Sequence, residues 1–209
     1  MQDDLLPLFP LAVVLLPSSE LPLHIFEDRY KEMIATVRRD QREFGVVLAS
    51  GEGIASTGCT ARIGQVVKEY EDGRLDIITV GQRRFTIRAL DQEMEYLRGE
   101  VDFFDDDEVA APPDLRQRAV RLCANLQGGA EPETVFDPDD PQLSFQLARR
   151  IDDLALRQQL LMSRSEAQRL QRLVEFLPAY SERVRQSERL RELAPKNGHG
   201  KLPRGLEED

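Results

Sequence analysis

Leu5-Leu-Pro-Leu-Phe-Pro-Leu-Ala-Val-Val-Leu-Leu-Pro17, continued by Leu21-Pro-Leu-His-Ile-Phe-Glu-Asp-Arg-Tyr30, is the most apolar stretch of the chain and is interrupted by prolines. Proline has no backbone donor and fits poorly inside a helix, so helical structure is not expected before residue 23. The valines, leucines and isoleucine between the prolines favour extended backbone. We therefore predict strands or extended segments at 5–9, 13–16 and 21–26, with a turn at 17–20. Because proline cannot donate to a sheet ladder, these strands should pair at edges or irregularly.

A helix is predicted to begin near Glu27. One of its faces repeats apolar side chains at the helical period, namely Phe26, Tyr30, Met33, Ile34 and Val37. Glu27 and Lys31 form an i, i+4 pair in the favoured order. The residues with the character of core are Leu8, Leu11, Val13, Leu15, Leu23, Ile25 and Phe26. Burying each would contribute about 1.5–3 kcal/mol.

Further strands are predicted at 44–49, 61–70, 75–80, 85–90 and 96–104. The small residues between 51 and 60 are interpreted as a loop, Asp72-Gly73 as a hairpin turn, and Gly81 as a break between two strands. Several short strands around one early helix indicate a small, closed or nearly closed β domain.

Helical patterns follow the acidic linker Asp105–Glu108. Pro113 can begin the first helix, which should end at Gly128-Gly129. Asp140 can cap the next helix, with Pro141 as its first residue.

A short helix at 154–162 precedes Ser163-Arg-Ser-Glu166, a capping-box pattern that should begin a long helix. Pro178 should kink or split that helix. Its apolar stripe fits packing on neighbouring helices, with a dimer seam as the alternative. We expect an α+β protein with a β-rich subdomain at 1–109, a helical subdomain at 110–194 and a disordered tail at 195–209.

The composition is that of a soluble globular protein with a formal net charge of −10 over 209 residues. This charge disfavours binding to nucleic-acid backbones and anionic membranes. The apolar stretch follows two aspartates, contains prolines and lacks a cleavage site, so it does not fit a signal peptide. Cys59 and Cys123 are far apart and outside any Cys-x-x-Cys pair, which predicts two buried thiols in a reducing compartment. We expect a cytoplasmic protein.

The chain shows no catalytic, cofactor or metal constellation. It has no Gly-x-x-x-x-Gly-Lys-Ser/Thr loop for phosphate. His24 and Glu27 could supply two metal ligands, but the spacing suggests no third. A Ser-His-Asp or Cys-His arrangement would need His24, and no serine or cysteine has the motif context. A serine–lysine dyad would need Lys31 or Lys68, which fit better as the solvated partner of Glu27 and an outward strand residue.

The opening stretch resembles the signature of the Lon protease N-terminal domain family, through Leu6-Pro-Leu-Phe-Pro-Leu11, Val14-Leu-Leu-Pro17 and the segment 21–30. Val80-Gly-Gln-Arg-Arg-Phe-Thr-Ile87 is similar to a later strand motif of that family, and 142–184 to its helical part. The signature positions are Pro7, Leu8, Phe9, Pro10, Leu11, Pro17, Pro22, Leu23, Phe26, Glu27, Arg29, Tyr30, Gly81 and Arg84. We expect them to be mostly structural, with Glu27 and Arg29 fixing the strand–helix junction through charge-assisted bonds.

The resemblance implies a β-rich, PUA-like pseudo-barrel with one early helix, followed by an α-helical bundle. In full-length Lon this domain recognises substrates, and it precedes ATPase and serine–lysine protease modules; we expect a stand-alone member without those modules. The inferred function is non-catalytic binding of unfolded or exposed polypeptide segments, at an open strand edge or in the groove between β domain and helices. A protease or chaperone is a candidate further partner, and the oligomeric state stays open.

Two other functions were weighed. PUA-like folds often bind RNA, and a local patch of Arg83, Arg84 and Arg88 could act despite the acidic net charge. A hydrolase is disfavoured because the sequence supplies no nucleophile–base pair.

Overall fold

The computed structural model describes residues 5–193 except 52, 125 and 127–135. Its elements in chain order are β1 (Leu6–Leu11), β2 (Glu20–Ile25), α1 (Asp28–Arg39), β3 (Phe44–Ser50), β4 (Gly53–Glu69), β5 (Leu75–Asp91), β6 (Arg98–Phe104), α2 (Pro113–Ala124), α3 (Leu143–Ala148), α4 (Leu154–Met162) and α5 (Glu166–Leu193). The predicted α+β class is confirmed, because all the described strands and one early helix precede the remaining helices. Among the described residues, no helix is both long and apolar enough to cross a membrane.

The strands form one sheet in the order β2-β5-β4-β3-β1-β6, and β5 also pairs with β6. Five of the described strands therefore close into a ring, and within the described residues β2 pairs with β5 alone. The sequence predicts edge or irregular pairing for these strands; β1 is not at an edge, because it runs parallel to β3 and antiparallel to β6. Its contact with β6 involves Leu6 and Pro7 alone. The prolines of β1 therefore interrupt few ladder positions. β2, which contains Pro22, is the edge strand.

The two longest strands differ from the prediction. The small residues from Gly53 to Thr60 begin β4 and are not a loop. Gly81 does not end a strand, because β5 runs without interruption from Leu75 to Asp91. A Cβ atom at Gly81 would lie 2.2 Å from the carbonyl oxygen of Leu16, so the glycine permits a close backbone approach. The predicted Asp72-Gly73 hairpin is confirmed, with Gly73 at φ +80°.

α1 buries the predicted face, including Tyr30, Met33, Ile34 and Val37. Phe26 is the exception: it precedes the helix and is 58% exposed, so its assignment to the core is wrong. The other predicted core residues are buried (Leu8, Leu15 and Ile25) or partly buried against the core (Leu11, Val13 and Leu23). The predicted Glu27–Lys31 pair is also wrong. Lys31 donates to Asp28 at 3.1 Å, and Glu27 accepts from Arg29 at 2.9 Å.

The helices begin close to the predicted positions, with differences at their caps. α2 begins at Pro113 and α4 spans 154–162, as predicted. α3 begins at Leu143, and Asp140 instead accepts from the backbone N–H of Gln142 at 2.7 Å ahead of the helix. Pro178 does not split α5.

The capping box was assigned to the wrong serine. α5 begins at Glu166, and Ser165 Oγ accepts from the backbone N–H of Gln168 at 3.3 Å. The main core cluster contains residues of β1, β3, β4 and all five helices. The subdomain boundary at 109/110 stays a prediction. The expected helix end at 128–129 and the tail at 195–209 lie outside the described residues.

Candidate functional site

The free edge of β2 ends in an exposed aromatic cluster. His24 is the penultimate residue of β2, and its ring stacks on Phe26 with 5.7 Å between centroids. Tyr70, which directly follows β4 and is partly buried, meets the His24 ring edge-on at 6.1 Å. We call His24, Phe26 and Tyr70 the aromatic patch. It offers an apolar surface beside β2, whose backbone is paired on one side only in the described part of the chain, and this combination is suited to binding an extended peptide.

A polar network holds the aromatic patch in place. Asp76 lies opposite His24 in the β2–β5 register, and the two side chains approach to 2.6 Å between Nδ1 and Oδ1. The Tyr70 hydroxyl donates to the other oxygen of Asp76 at 2.8 Å. The hydrogen bonds from His24 and then Tyr70 lower the pKa of Asp76. Lys68 and Arg74 lie over the Tyr70 ring at 4.3 and 4.8 Å. Cationic groups therefore border the patch within an acidic protein.

A groove of about 480 Å³ lies where the sheet meets the helices. We call it the junction groove. The residues that line it are Pro17, Gln82, Arg83, Arg84, Phe104, Asp105, Asp106, Asp107, Glu108, Val109, Ala110, Arg116, Pro141, Gln142, Phe145 and Glu166. A peptide contact in a groove of this kind, or at an open strand edge, stays a prediction from the sequence. Its mouth contains both acidic and basic side chains, so charge alone does not select a ligand class.

A buried ionic network joins β5 to the helices beneath this groove. Arg84 of β5 is 5% exposed and donates to Asp106 and to the carbonyl oxygen of Ser163, the latter at 2.6 Å. Arg169 of α5 is fully buried and also donates to Asp106, with one bond of 2.6 Å. Asp106 thus bridges two guanidinium groups. Removal from water is the main effect on Arg84 and lowers its pKa.

The same network fixes the start of α5. Glu166 is buried, and its carboxylate accepts from the backbone N–H of Ser144 at 2.9 Å and from the Ser144 hydroxyl at 2.6 Å. Arg169 donates to Glu166 at 2.7 Å and to Ser144 Oγ at 2.7 Å. Burial opposes the charge of Arg169, but Asp106 and Glu166 outweigh it and raise the pKa of Arg169. Two acids and two arginines therefore balance one another away from water.

Sequence reasoning missed Asp106, Glu166 and Arg169 as members of one network. The sequence pattern places Asp106 in an acidic linker and Glu166 in a capping box. Asp106 lies 63 residues before Arg169 in the chain, so local spacing does not indicate their contact, whereas Glu166 and Arg169 are an i, i+3 pair on α5. Only a fold that returns α5 to the end of β6 brings them together.

The structure distributes the signature residues over several places. Pro7, Leu8, Phe9, Pro10 and Leu11 lie in β1, and Pro22 and Leu23 lie in β2. Phe26, Glu27, Arg29 and Tyr30 lie where β2 passes into α1, Pro17 lies in the turn before β2, and Gly81 and Arg84 lie in β5. They do not converge on one site. A predominantly structural role for them stays a prediction.

The proposed arginine patch does not form a free surface. Arg84 is buried, Arg83 lies over the Phe103 ring at 4.3 Å, and Arg88 pairs with Asp102. An RNA backbone could not reach Arg84 without breaking its bonds to Asp106 and Ser163.

The side chains considered for catalysis have other surroundings. Cys59 and Cys123 are free and buried, and burial raises their pKa values to about 12 and about 11. Both are therefore protonated and poor nucleophiles near neutral pH. Among the described residues, no group of three His, Cys, Asp or Glu side chains is placed to hold a metal ion.

The described residues form an α+β protein with a closed ring of strands, an edge strand β2 and a helical part packed on the ring. The sequence model of the ATP-dependent protease La (LON) substrate-binding domain matches residues 5–182. The chain belongs to this family.

Solved structures agree with the assignment. The Lon N-terminal domain protein from Xanthomonas campestris is 26% identical, with a TM-score of 0.66 over 82% of this chain and 98% of that one. The N-terminal domain of a Mycobacterium avium complex Lon protease is 18% identical, with a TM-score of 0.62 over 83% and 98%. The second likeness shows the shared fold.

Proposed function

We propose that this protein is a non-catalytic module that binds exposed segments of unfolded polypeptides. The observation that carries the proposal is Phe26, a large apolar side chain left 58% exposed beside the unpaired edge of β2. Membership of a substrate-binding domain family supports the same role. We place the activity in the cytoplasm, with a protease or chaperone as the partner that would use the bound chain.

Strand addition is the binding mode that fits this surface. An extended peptide would pair with the free edge of β2, and one of its apolar side chains would lie on Phe26 and His24. Pro22 has no N–H, so the hydrogen bonds should concentrate toward the His24 end of the strand. Unfolded chains offer extended backbone and exposed apolar side chains together, whereas folded proteins bury both. The module should therefore prefer unfolded polypeptides.

The test compares two phenylalanine variants. Fluorescence anisotropy would measure the Kd of labelled, reduced and carboxymethylated α-lactalbumin, with native α-lactalbumin for comparison. We expect the unfolded form alone to bind, and Phe26→Ala to weaken it by about ten-fold, as for the central apolar residue of an interface. Phe103→Ala is the matched control, because Phe103 is also exposed, at 43%, but belongs to β6.

Two results would count against the proposal. Equal Kd values for native and unfolded α-lactalbumin would exclude selection of unfolded segments. Equal weakening by Phe26→Ala and Phe103→Ala would show that the aromatic patch is not the contact.

A further inference from the structure

A second, smaller pocket lies on the other flank of β2, where the chain before this strand meets the helices. It has a volume of about 210 Å³. Its walls are Val13, Val14, Leu15, Leu16, Ser19, Glu20, Leu21, Arg149 and Arg157. We call it the Ser19 pocket. None of these residues belongs to the aromatic patch or to the junction groove, so the pocket needs its own explanation.

The hydroxyl of Ser19 lacks a hydrogen-bond partner in the described part of the chain. Ser19 is 9% exposed, and its Oγ is buried and unpaired. The backbone of the residue is fixed on both sides, because Ser19 N–H donates to Leu16 O at 3.1 Å and Ser19 O accepts from Gly81 N–H at 2.9 Å. An unpaired buried hydroxyl costs free energy unless something else bonds to it.

Two arginines line the same pocket without a carboxylate partner among the described residues. Arg157 donates to the carbonyl oxygens of Ile151 at 2.7 Å and Arg149 at 2.9 Å, which fixes its guanidinium. Arg149 makes one long bond of 3.4 Å, to Pro17 O. Burial lowers the pKa of Arg149, and the charges of Asp140 and Glu20 offset this only in part. Among the residues that line the pocket, two guanidinium groups face one carboxylate, that of Glu20, so the lining carries a net positive charge although the whole chain is acidic.

The remaining walls are apolar except for Glu20. Val14, Leu15 and Leu16 are buried, and Val13 and Leu21 are partly buried. A free inorganic anion would leave such walls without a partner. A carboxylate carried by an apolar residue would contact both the arginines and the aliphatic walls. Guanidinium groups bind carboxylate oxygens in paired, charge-assisted bonds, and the aliphatic walls contact the apolar side chain.

We propose that the Ser19 pocket binds a carboxylate of the polypeptide ligand, with Arg149, Arg157 and the Ser19 hydroxyl as its donors. The carboxylate is either the chain terminus or an acidic side chain. This inference rests on the proposed function, because it supplies a second contact for the same ligand. It adds selectivity for the end or the charge of a polypeptide to the general recognition of unfolded backbone at β2.

Isothermal titration of the full chain with three acetylated pentapeptides tests the inference. The peptides are Gly-Ser-Ala-Val-Leu as the free acid, the same sequence as the C-terminal amide, and Gly-Ser-Ala-Val-Glu as the C-terminal amide. We expect the free acid to bind about ten-fold more tightly than the first amide, since one charge-assisted pair separates them. Comparing the Kd of the free-acid peptide with that of the glutamate amide distinguishes a terminal carboxylate from a side-chain carboxylate.

The variants separate binding from folding. Arg149→Gln should remove most of the preference for the free acid, whereas Arg118→Gln, the same change at an exposed position of α2, should leave it intact. Ser19→Ala should weaken the free acid about five-fold while leaving the melting temperature equal or slightly higher, because the hydroxyl has no partner to lose. A purely structural Ser19 would instead change the melting temperature and leave the Kd unaltered.

The outcomes are distinguishable from those for the aromatic patch. Equal binding of all three peptides, or binding of none, would overturn the inference whatever unfolded α-lactalbumin does. Preferential binding of either carboxylate peptide that is insensitive to Arg149→Gln would also overturn it. If Arg149→Gln loses the preference for the free acid, the pocket is supported. If Phe26→Ala binds unfolded α-lactalbumin as tightly as the unsubstituted protein does, the aromatic patch is rejected as the contact.

Discussion

A side chain at position 81 has no room in this fold. A Cβ atom there would lie 2.2 Å from Leu16 O and 3.2 Å from the Leu15 side chain. The obstacle at the shorter distance is backbone, which cannot rotate away. Gly81→Ala should therefore lower the free energy of unfolding by about 3 kcal/mol, the upper end of the cost of overpacking. Urea denaturation followed by circular dichroism at 222 nm measures the change.

Gly64→Ala provides the control within the neighbouring strand β4. Its nearest neighbours would be Ile78 O and a Val80 methyl group, both at 3.4 Å. We expect a change of no more than about 0.5 kcal/mol there, because alanine lowers the entropy cost of a strand glycine. A loss at Gly81 no larger than that at Gly64 would contradict the close approach of the two backbones.

At Phe26 and Gly81 the local sequence pattern gives a wrong prediction. The helical spacing from Phe26 to Val37 is real, but α1 begins after Glu27, so Phe26 follows the alternation of β2 instead. Ile25 points inward and Phe26 outward. Glycine in a strand pattern usually suggests a break, and only the three-dimensional position of Leu16 explains why β5 continues through Gly81.

At the scale of elements, local chemistry predicts helices better than strands. α4 spans 154–162 as predicted, and Asp153 caps it by accepting from Leu156 N–H at 2.9 Å. β4 begins eight residues before its predicted start. The prediction missed residues 53–60 because they are small and lack an apolar pattern. Their pairing with β3 and β5 decides the structure. Partners far away in sequence are invisible to a reading of local pattern.

The start of α5 gives a direct comparison between two serines. Ser165→Ala should lower the free energy of unfolding by about 1 kcal/mol, because Ser165 Oγ accepts from Gln168 N–H at 3.3 Å in the first turn. Ser163→Ala should cost less, since Ser163 precedes the helix and its hydroxyl makes bonds of 3.4 Å near the limit of hydrogen-bond length. Thermal denaturation of both variants measures the difference. A larger loss at Ser163 would restore the original capping-box assignment.

For the whole molecule, the bridge through Asp106 should make the sheet and the helices unfold together. Asp106 accepts from Arg84 of β5 and from Arg169 of α5. Asp106→Asn would leave two buried guanidinium groups facing one remaining carboxylate, and should cost about 3 kcal/mol. Asp107→Asn is the control, because Asp107 is exposed and pairs with Arg164 at 3.5 Å; it should cost less than about 1 kcal/mol.

The two buried thiols report separately on the two parts of the chain. Cys59 lies in β4 and Cys123 in α2, and pKa values of about 12 and about 11 keep both protonated in the folded protein at pH 8. Unfolding returns a thiol toward a pKa of about 8.5, where iodoacetamide reacts with it. Pulsed labelling along a urea gradient, read by peptide mass spectrometry, should therefore give one common midpoint for both cysteines. Asp106→Asn should shift both midpoints equally to lower urea, because the network belongs to both parts. Separate midpoints in the unsubstituted protein would show instead that the ring of strands and the helices are independent folding units.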